Sequence, residues 1–513
     1  MVQLPPSSLL NKNKGKVSFN IKPLILFVPI LALGTINNAL AWNLDIRDFW
    51  VKDYLDFAQN KGMFKPGATG LVLSSKKGTL LELPNLPFPD FSPVSRHGST
   101  TSIGGAYMIT AQHNKLYTGH WQQYAGSPEW GASKYEVKDS TAHGDFAITR
   151  LNKFVVETQG FTHGVQENLS MNQMLDRYGV EHNGKKHVFV YRAGAGTFEL
   201  THDGGKHKEA DISYMPELLA GSIFELDWFG NDKPTAKQWS SFFNVTTSGD
   251  SGSGAFVWDN YEKRWVVLGV LHGIGDNNLG TKLRFIFQKW NQKTVDAFKA
   301  KYTHTVELNS NSMQLSATNK NDYLIGSQQS QFNANQDLSF KGGGTIEFNK
   351  DFDQGYGGLI FDTEKKYQIN GNGHKYKGAG VDIGKGTTVE WNVSGMNGDA
   401  LHKVGEGTLN VNIQQGNNLK TGNGLVVLNH GKTFESIYMA NAAATVKLGK
   451  ADALNTTDKA NGIYIRGGTL DINGFSQTFK RIAASDDRAI VTNSSEIRAD
   501  INFALPWEYS YHG

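Results

Sequence analysis

Thr247-Ser248-Gly249-Asp250-Ser251-Gly252-Ser253-Gly254 sets a serine among glycines, with an acidic residue immediately before it. Glycine lets a backbone turn tightly and approach a substrate, and such a turn leaves N–H groups free to face a developing negative charge. Gly/Ser-rich sequence also forms ordinary surface loops. A serine nucleophile, unlike a loop, requires a histidine base and a carboxylate to orient it. Both lie upstream. Met108-Ile109-Thr110-Ala111-Gln112-His113 reads as an apolar strand ending in a small residue and a histidine. Gly144-Asp145-Phe146-Ala147-Ile148-Thr149-Arg150-Leu151 sets an aspartate at the start of another strand. The expected roles are Ser251 as nucleophile, His113 as general base and then acid, and Asp145 as the group that fixes the imidazole tautomer. The backbone N–H groups of Gly249 and Ser251 are the expected oxyanion hole.

The order His, Asp, Ser resembles the chymotrypsin-like serine proteases and differs from the subtilisin and α/β-hydrolase orders. Other candidates are weaker. His120, His143 and His163 do not follow an apolar strand as His113 does, His143 is only two residues from Asp145, and Asp139 has polar surroundings that favour solvent. By the same resemblance, Val245, six residues before the nucleophile, lies at the base of the primary pocket, with Leu271 and His272 of Val270-Leu271-His272-Gly273 on its wall. A valine cannot pair with an incoming Lys or Arg, so cleavage after uncharged residues is expected. In chymotrypsin-like zymogens the residue equivalent to Asp250 is paired by a freed amino terminus. The expected mature start, Trp42-Asn43-Leu44, lacks an Ile-Val-Gly sequence, so a buried Asp250 needs another partner.

The chain has 513 residues, enough for two or three domains, and its 39% hydrophobic content is enough to build cores. A net charge of +3 without a long basic run gives no sign of a nucleic-acid partner. Cysteine is absent, which excludes disulfides and thiolate metal sites. The histidines are scattered and no His-Glu-x-x-His occurs, so neither a metal nor another cofactor is expected. Lys12, Lys14, Lys16 and Lys22 precede the apolar run Leu24–Leu33, and Ala39-Leu40-Ala41 offers small residues for cleavage before Trp42. Residues 1–41 therefore read as an export signal, with an uncleaved anchor as the alternative.

Residues 42–309 read as short β-rich pieces forming a two-barrel protease domain, with strands over Thr69–Leu73, Ala106–Thr110, Phe146–Ile148, His187–Tyr191 and Trp265–Leu271. Helical spacing occurs in Asp45–Lys61 and Arg284–Tyr302, and irregular connections dominate 160–240. Residues 310–335 are rich in Ser, Asn and Gln and read as a linker. Beyond them a glycine-led alternating motif recurs in Gly344-Thr345-Ile346-Glu347-Phe348, Gly386-Thr387-Thr388-Val389-Glu390-Trp391, Gly407-Thr408-Leu409-Asn410-Val411 and Gly468-Thr469-Leu470-Asp471-Ile472. The motif starts fall near multiples of one coil of about 20 residues, so 336–513 is expected to begin a right-handed parallel β-helix, with a β-sandwich as the alternative. The expected class is all-β.

Four segments resemble immunoglobulin A protease-like serine protease autotransporters of Gram-negative bacteria: Asp53–Gly62, Asp145–Glu157, the Ser251 motif and Arg466–Gly474. The resemblance implies a secreted endopeptidase on a β-helical stalk, exported to the periplasm, cell surface or medium and acting on a protein substrate, expected to be host-derived. It also implies an outer-membrane translocator barrel. The run of roughly ten-residue amphipathic strands that such a barrel requires is not found up to Gly513, so the barrel is expected to be absent from this chain and the stalk's last strand edges to be uncapped. Two other functions fit the sequence: an adhesin whose protease only processes the chain, and an inactive truncated passenger.

Overall fold

The computed structural model describes residues 40–45, 47–124, 133–195, 197–201, 208–212, 220–230, 232–246, 250–276, 283–315, 321–455, 462–479, 482–484 and 488–503. The expected export signal lies outside this set except for Leu40 and Ala41, which open the strand Leu40–Asp45.

Tyr107–Ala111 and Phe146–Leu151 are buried along their whole length, as short continuous apolar runs must be. They pair antiparallel inside a five-stranded sheet ordered Thr100–Ser102, Tyr107–Ala111, Phe146–Leu151, Tyr135–His143, Trp121–Gln122. A second sheet closes into a six-stranded antiparallel barrel: Phe189–Gly194, Ala220–Trp228, Thr235–Gln238, Leu283–Lys289, Arg264–Asp276 and Gly254–Asp259. Closure sets Tyr191 opposite Phe256. The helix Val51–Gln59 packs its buried Tyr54, Phe57 and Ala58 against the barrel. Phe57 lies so near Gly221 that a Cβ there would sit 2.3 Å from its ring, so only glycine fits.

Two stretches differ from expectation. Arg284–Tyr302 is helical only over Gln292–Lys301, where Asn291 Oδ1 accepts the Thr294 N–H at 2.8 Å. Before it, Phe285 and Phe287 alternate into the barrel core, so period two wins over helical spacing. The described residues of 160–240 are not mainly irregular: they hold the helix Met171–Tyr178 and three of the six barrel strands.

The rest is a solenoid of parallel rungs. One sheet of nine strands runs from Thr303–Glu307 to Ile482–Ala484, and a sheet of twelve contains all four glycine-led motifs. Parallel pairing rules out the β-sandwich, whose sheets are antiparallel. Inner side chains stack in register, Ile346 on Ile369, Trp391, Val411, Leu428 and Leu448. Outward asparagines bond from rung to rung, Asn392 to Asn370 at 2.9 Å and Asn429 to Asn412 at 2.9 Å. Rung pairing already begins at Thr303–Glu307 and Ser312–Leu315, and Asp322–Ile325 with Gln328–Gln331 makes a hairpin on the same sheet. The described strands of 310–335 are therefore built into the solenoid, where the sequence suggested a linker.

The strand that follows Asp145 also ties the two halves together. Arg150 makes two bonds to Asp337, at 2.7 and 2.6 Å, with both side chains buried. Burial works against the guanidinium charge, but the carboxylate overrides it and raises the arginine pKa. Further along, Lys153 meets Asp399 at 2.5 Å, and His402 Nδ1 faces the Phe154 carbonyl at 2.8 Å. The extension of Phe146–Leu151 is thus bound along successive rungs.

Candidate active site

His113 sits in a single 3-10 turn, Gln112–Asn114, at the end of Tyr107–Ala111. Asp145 occupies the turn between Tyr135–His143 and Phe146–Leu151, which Gly144 permits with φ 58°. The Gln112 N–H donates to the Asp145 carbonyl at 2.8 Å, fixing turn against turn. The Asp145 carboxylate then accepts the His113 backbone N–H at 2.9 Å, and His113 Nδ1 lies 2.8 Å from Oδ2. Burial pushes the Asp145 pKa up, but hydrogen bonds from His272 and His113 outweigh it and hold the carboxyl below its ordinary value. The carboxylate is ionised at neutral pH.

Ser251 lies on the turn that enters Gly254–Asp259. Gly252 has φ 89°, and a Cβ there would fall 2.4 Å from both the Ser99 carbonyl and Thr110 Oγ1. The serine turn is therefore pressed onto the strand that delivers His113. Asn114, next to His113, donates to the Ser251 carbonyl at 2.6 Å and to Thr110 Oγ1 at 3.1 Å. From the other side, the Gly252 N–H donates to the Leu271 carbonyl and the Leu271 N–H to the Ser253 carbonyl, each at 2.8 Å. Among the described residues Ser251 Oγ and His113 Nε2 have no hydrogen-bond partner, which leaves both to substrate, solvent and each other; such bonds often tighten only once substrate is seated.

Asp250 is fully buried and is met by Arg192, also fully buried, at 3.2 Å. Arg192 Nε also donates to Ser253 Oγ at 2.7 Å, and that hydroxyl donates to the Asp250 carbonyl at 2.8 Å. An arginine of the barrel strand Phe189–Gly194 thus stands where a freed amino terminus would be needed in a zymogen. Burial lowers the Arg192 pKa and Asp250 counteracts it. Neither Arg192 nor Asn114 was singled out by sequence. The signal for Arg192 was there: a lone cation inside Phe189-Val190-Tyr191-Arg192-Ala193 must be buried with the strand and so must have a counter-ion.

Gly249 lies outside the described residues, as does the Val245 side chain, whose backbone pairs with Asn43 in Asn244–Thr246. Leu271 is buried and holds the serine turn through its backbone. The His272 imidazole turns to Asp145, with Nδ1 at 2.5 Å from Oδ2. His113, Asp145 and His272 are all residues of metal-ligating type within 4.8 Å, and both Nδ1 atoms face the carboxylate. Three of the rival groups are engaged elsewhere: His120 Nδ1 accepts the Tyr117 N–H at 3.0 Å, His163 Nδ1 faces Thr162 Oγ1 at 2.6 Å, and Asp139 binds Lys301 at 2.6 Å. A cavity of about 570 Å³ opens at the seam with the solenoid, beside Tyr107, Lys299, Asp337 and Asp382; none of His113, Asp145 and Ser251 lines it.

The same span that builds this site, residues 43–292, matches the peptidase family described as immunoglobulin A1 protease. Curated relatives include the serine protease EspC of Escherichia coli O127:H6, 45% identical over 92% of this chain and 36% of its own length. The serine protease EspP of Escherichia coli is 44% identical over 95% of this chain and 37% of its own. The chain therefore spans little more than a third of these relatives. Among solved structures, the passenger domain of plasmid encoded toxin, an autotransporter enterotoxin of enteroaggregative Escherichia coli, superposes with a TM-score of 0.77 at 40% identity, covering 89% of this chain and 48% of that one. The Haemophilus influenzae Hap adhesin shares the fold at 23% identity, with a TM-score of 0.70 over 90% of this chain and 55% of that one. In both neighbours the likeness runs past residues 43–292 into the solenoid, since it covers 89% and 90% of this chain.

Proposed function

We propose that the chain is a secreted serine endopeptidase that cleaves proteins through an acyl-enzyme. Ser251 Oγ attacks the scissile carbonyl as His113 Nε2 takes its proton. His113 then returns that proton to the leaving amine, and water releases the acyl group by the same two steps in reverse. Asp145 holds the imidazole with Nδ1–H towards it and stabilises the imidazolium that forms. The N–H groups of Gly249 and Ser251 receive the oxyanion, each such donor being worth about 3 kcal/mol. The observation that carries this reading is the joint placement of the base and the nucleophile turn. Asp145 holds His113 Nδ1 at 2.8 Å, and the next residue, Asn114, holds the Ser251 carbonyl at 2.6 Å.

The substrates are proteins, with host proteins the proposed source, and the cut follows uncharged residues because Val245 offers no counter-ion. The expected site of action is the cell surface or medium. Incubating the whole chain with unfolded casein tests the activity. Cleavage is expected, and Ser251→Ala is expected to lower it by about three orders of magnitude or more. Equal cleavage by wild type and Ser251→Ala contradicts the assignment.

A further inference from the structure

Arg264–Asp276 and Leu283–Lys289 pair regularly, except between Leu271 and Gly273. Leu271 faces Phe287 and Gly273 faces Ile286, so His272 is the extra residue of a β-bulge. A bulge leaves one residue out of the ladder and re-aims its side chain. Here it releases the imidazole from the alternation that buries Val270 and sends it to the carboxylate of Asp145, at 2.5 Å. The two residues before it keep their barrel positions, and Leu271 still holds Gly252 and Ser253. One kink therefore serves both the nucleophile turn and the carboxylate.

The proton on this imidazole can be located. His272 Nε2 lies 3.4 Å from Lys233 Nζ, and an ammonium only donates. Nε2 must then be the acceptor, so Nδ1 carries the hydrogen and donates to Asp145. The ionisable groups against the ring are Asp145 on one nitrogen, Lys233 on the other and the His113 ring with its centroid 5.9 Å away. Oδ2 thus receives two imidazoles, from His113 and His272, while Oδ1 takes the His113 backbone N–H.

We infer that His272 is a positioning residue: a neutral, Nδ1-protonated imidazole that fixes the Asp145 carboxylate so that it can hold His113 in its working tautomer. This rests on the proposed roles of Asp145, His113 and Ser251. It gives His272 a different task from the pocket wall that its place after Val270-Leu271 suggests. A second donor keeps the carboxylate from rotating away and spreads its charge, so that the imidazolium at His113 is stabilised without being trapped.

His272→Ala removes the donor, and His272→Asn puts an amide N–H where Nδ1 stood. With a peptide substrate, His272→Ala should lower kcat by about tenfold or more with KM changed less than about twofold. It should also move the acid limb of kcat/KM to higher pH, because a carboxylate short of one donor holds the His113 proton more tightly. His272→Asn should restore most of kcat and the original limb. Unchanged kcat and limb in His272→Ala, or a rise in KM alone, overturns the inference, the latter returning His272 to the pocket. Imidazole ¹⁵N shifts, assigned by difference with His272→Asn, separate this from failure of the protease reading. A neutral Nδ1–H tautomer at His272 in a protein that proves inert at Ser251 sinks the protease reading alone. An Nε2–H tautomer sinks the positioning role whatever the activity.

Discussion

Arg192 and Gly252 carry the sharpest consequences of single side chains. Removing one partner of a buried pair leaves an unmet charge, which costs about 3–5 kcal/mol. Arg192→Met, which strands Asp250 in the core, should lose stability on that scale in urea denaturation and should react more slowly with a serine-directed fluorophosphonate. A loss below about 1 kcal/mol with normal labelling would show that Asp250 has other sufficient support. Gly252→Ala forces a Cβ into a 2.4 Å contact at φ 89°, so the turn must shift and labelling should fall sharply. His113, Asp145 and Ser251 are the residues the sequence proposes because each follows a local rule: an apolar strand and a histidine, a strand-initial aspartate, a serine among glycines. Asn114 and the aim of His272 were not. Their partners lie far away in the chain, and no local pattern encodes a bond that exists only after the two sheets meet.

At the scale of elements, alternation decides most outcomes. The glycine-led rungs show period two over several residues and were readable as strands with their inner faces assigned, as in the strict in-out burial of Thr388–Gly395. The 310–335 stretch reads as a linker by composition because its described strands are only four residues long and expose Ser312, Gln314, Gln328, Gln329 and Gln331. Trp391 is the largest member of the inner stack, and Trp391→Ala should cost about 3–5 kcal/mol, measured by denaturation of the whole chain. Asp382, on the strand Val381–Ile383, adds a pH dependence. Burial raises its pKa to about 6, and Lys403 only partly offsets this. A folded pKa above the unfolded one means that its contribution is complete below the unfolded value of 3.8 and is lost as pH rises through about 6. The loss across that window is on the order of 3 kcal/mol, and Asp382→Asn should flatten it in denaturation curves taken from pH 4 to 7. An unchanged slope would place that titration elsewhere.

At the scale of the whole molecule, the barrel half and the solenoid share a seam built from the strand that carries Asp145 in its entry turn. Arg150, four residues after Phe146 on that strand, is held by Asp337 of an early rung. The solenoid thereby braces the sheet on which His113 and Asp145 sit. Asp337→Ala leaves Arg150 buried without its counter-ion and should cost about 3–5 kcal/mol, splitting one calorimetric transition into two. A single unshifted transition would mean that the seam is held by its other bonds. Sequence could suggest two domains but not this seam, because a charged residue in an apolar strand announces a partner without naming it.

Everything at the three scales converges on whether Ser251 is an activated hydroxyl. Mass spectrometry of the whole chain after treatment with a fluorophosphonate reads that directly. A single adduct mapped to Ser251, absent when His113 is replaced by alanine, is the predicted result. No adduct on the wild type, or an adduct at Ser251 that forms equally fast without His113, would contradict the account.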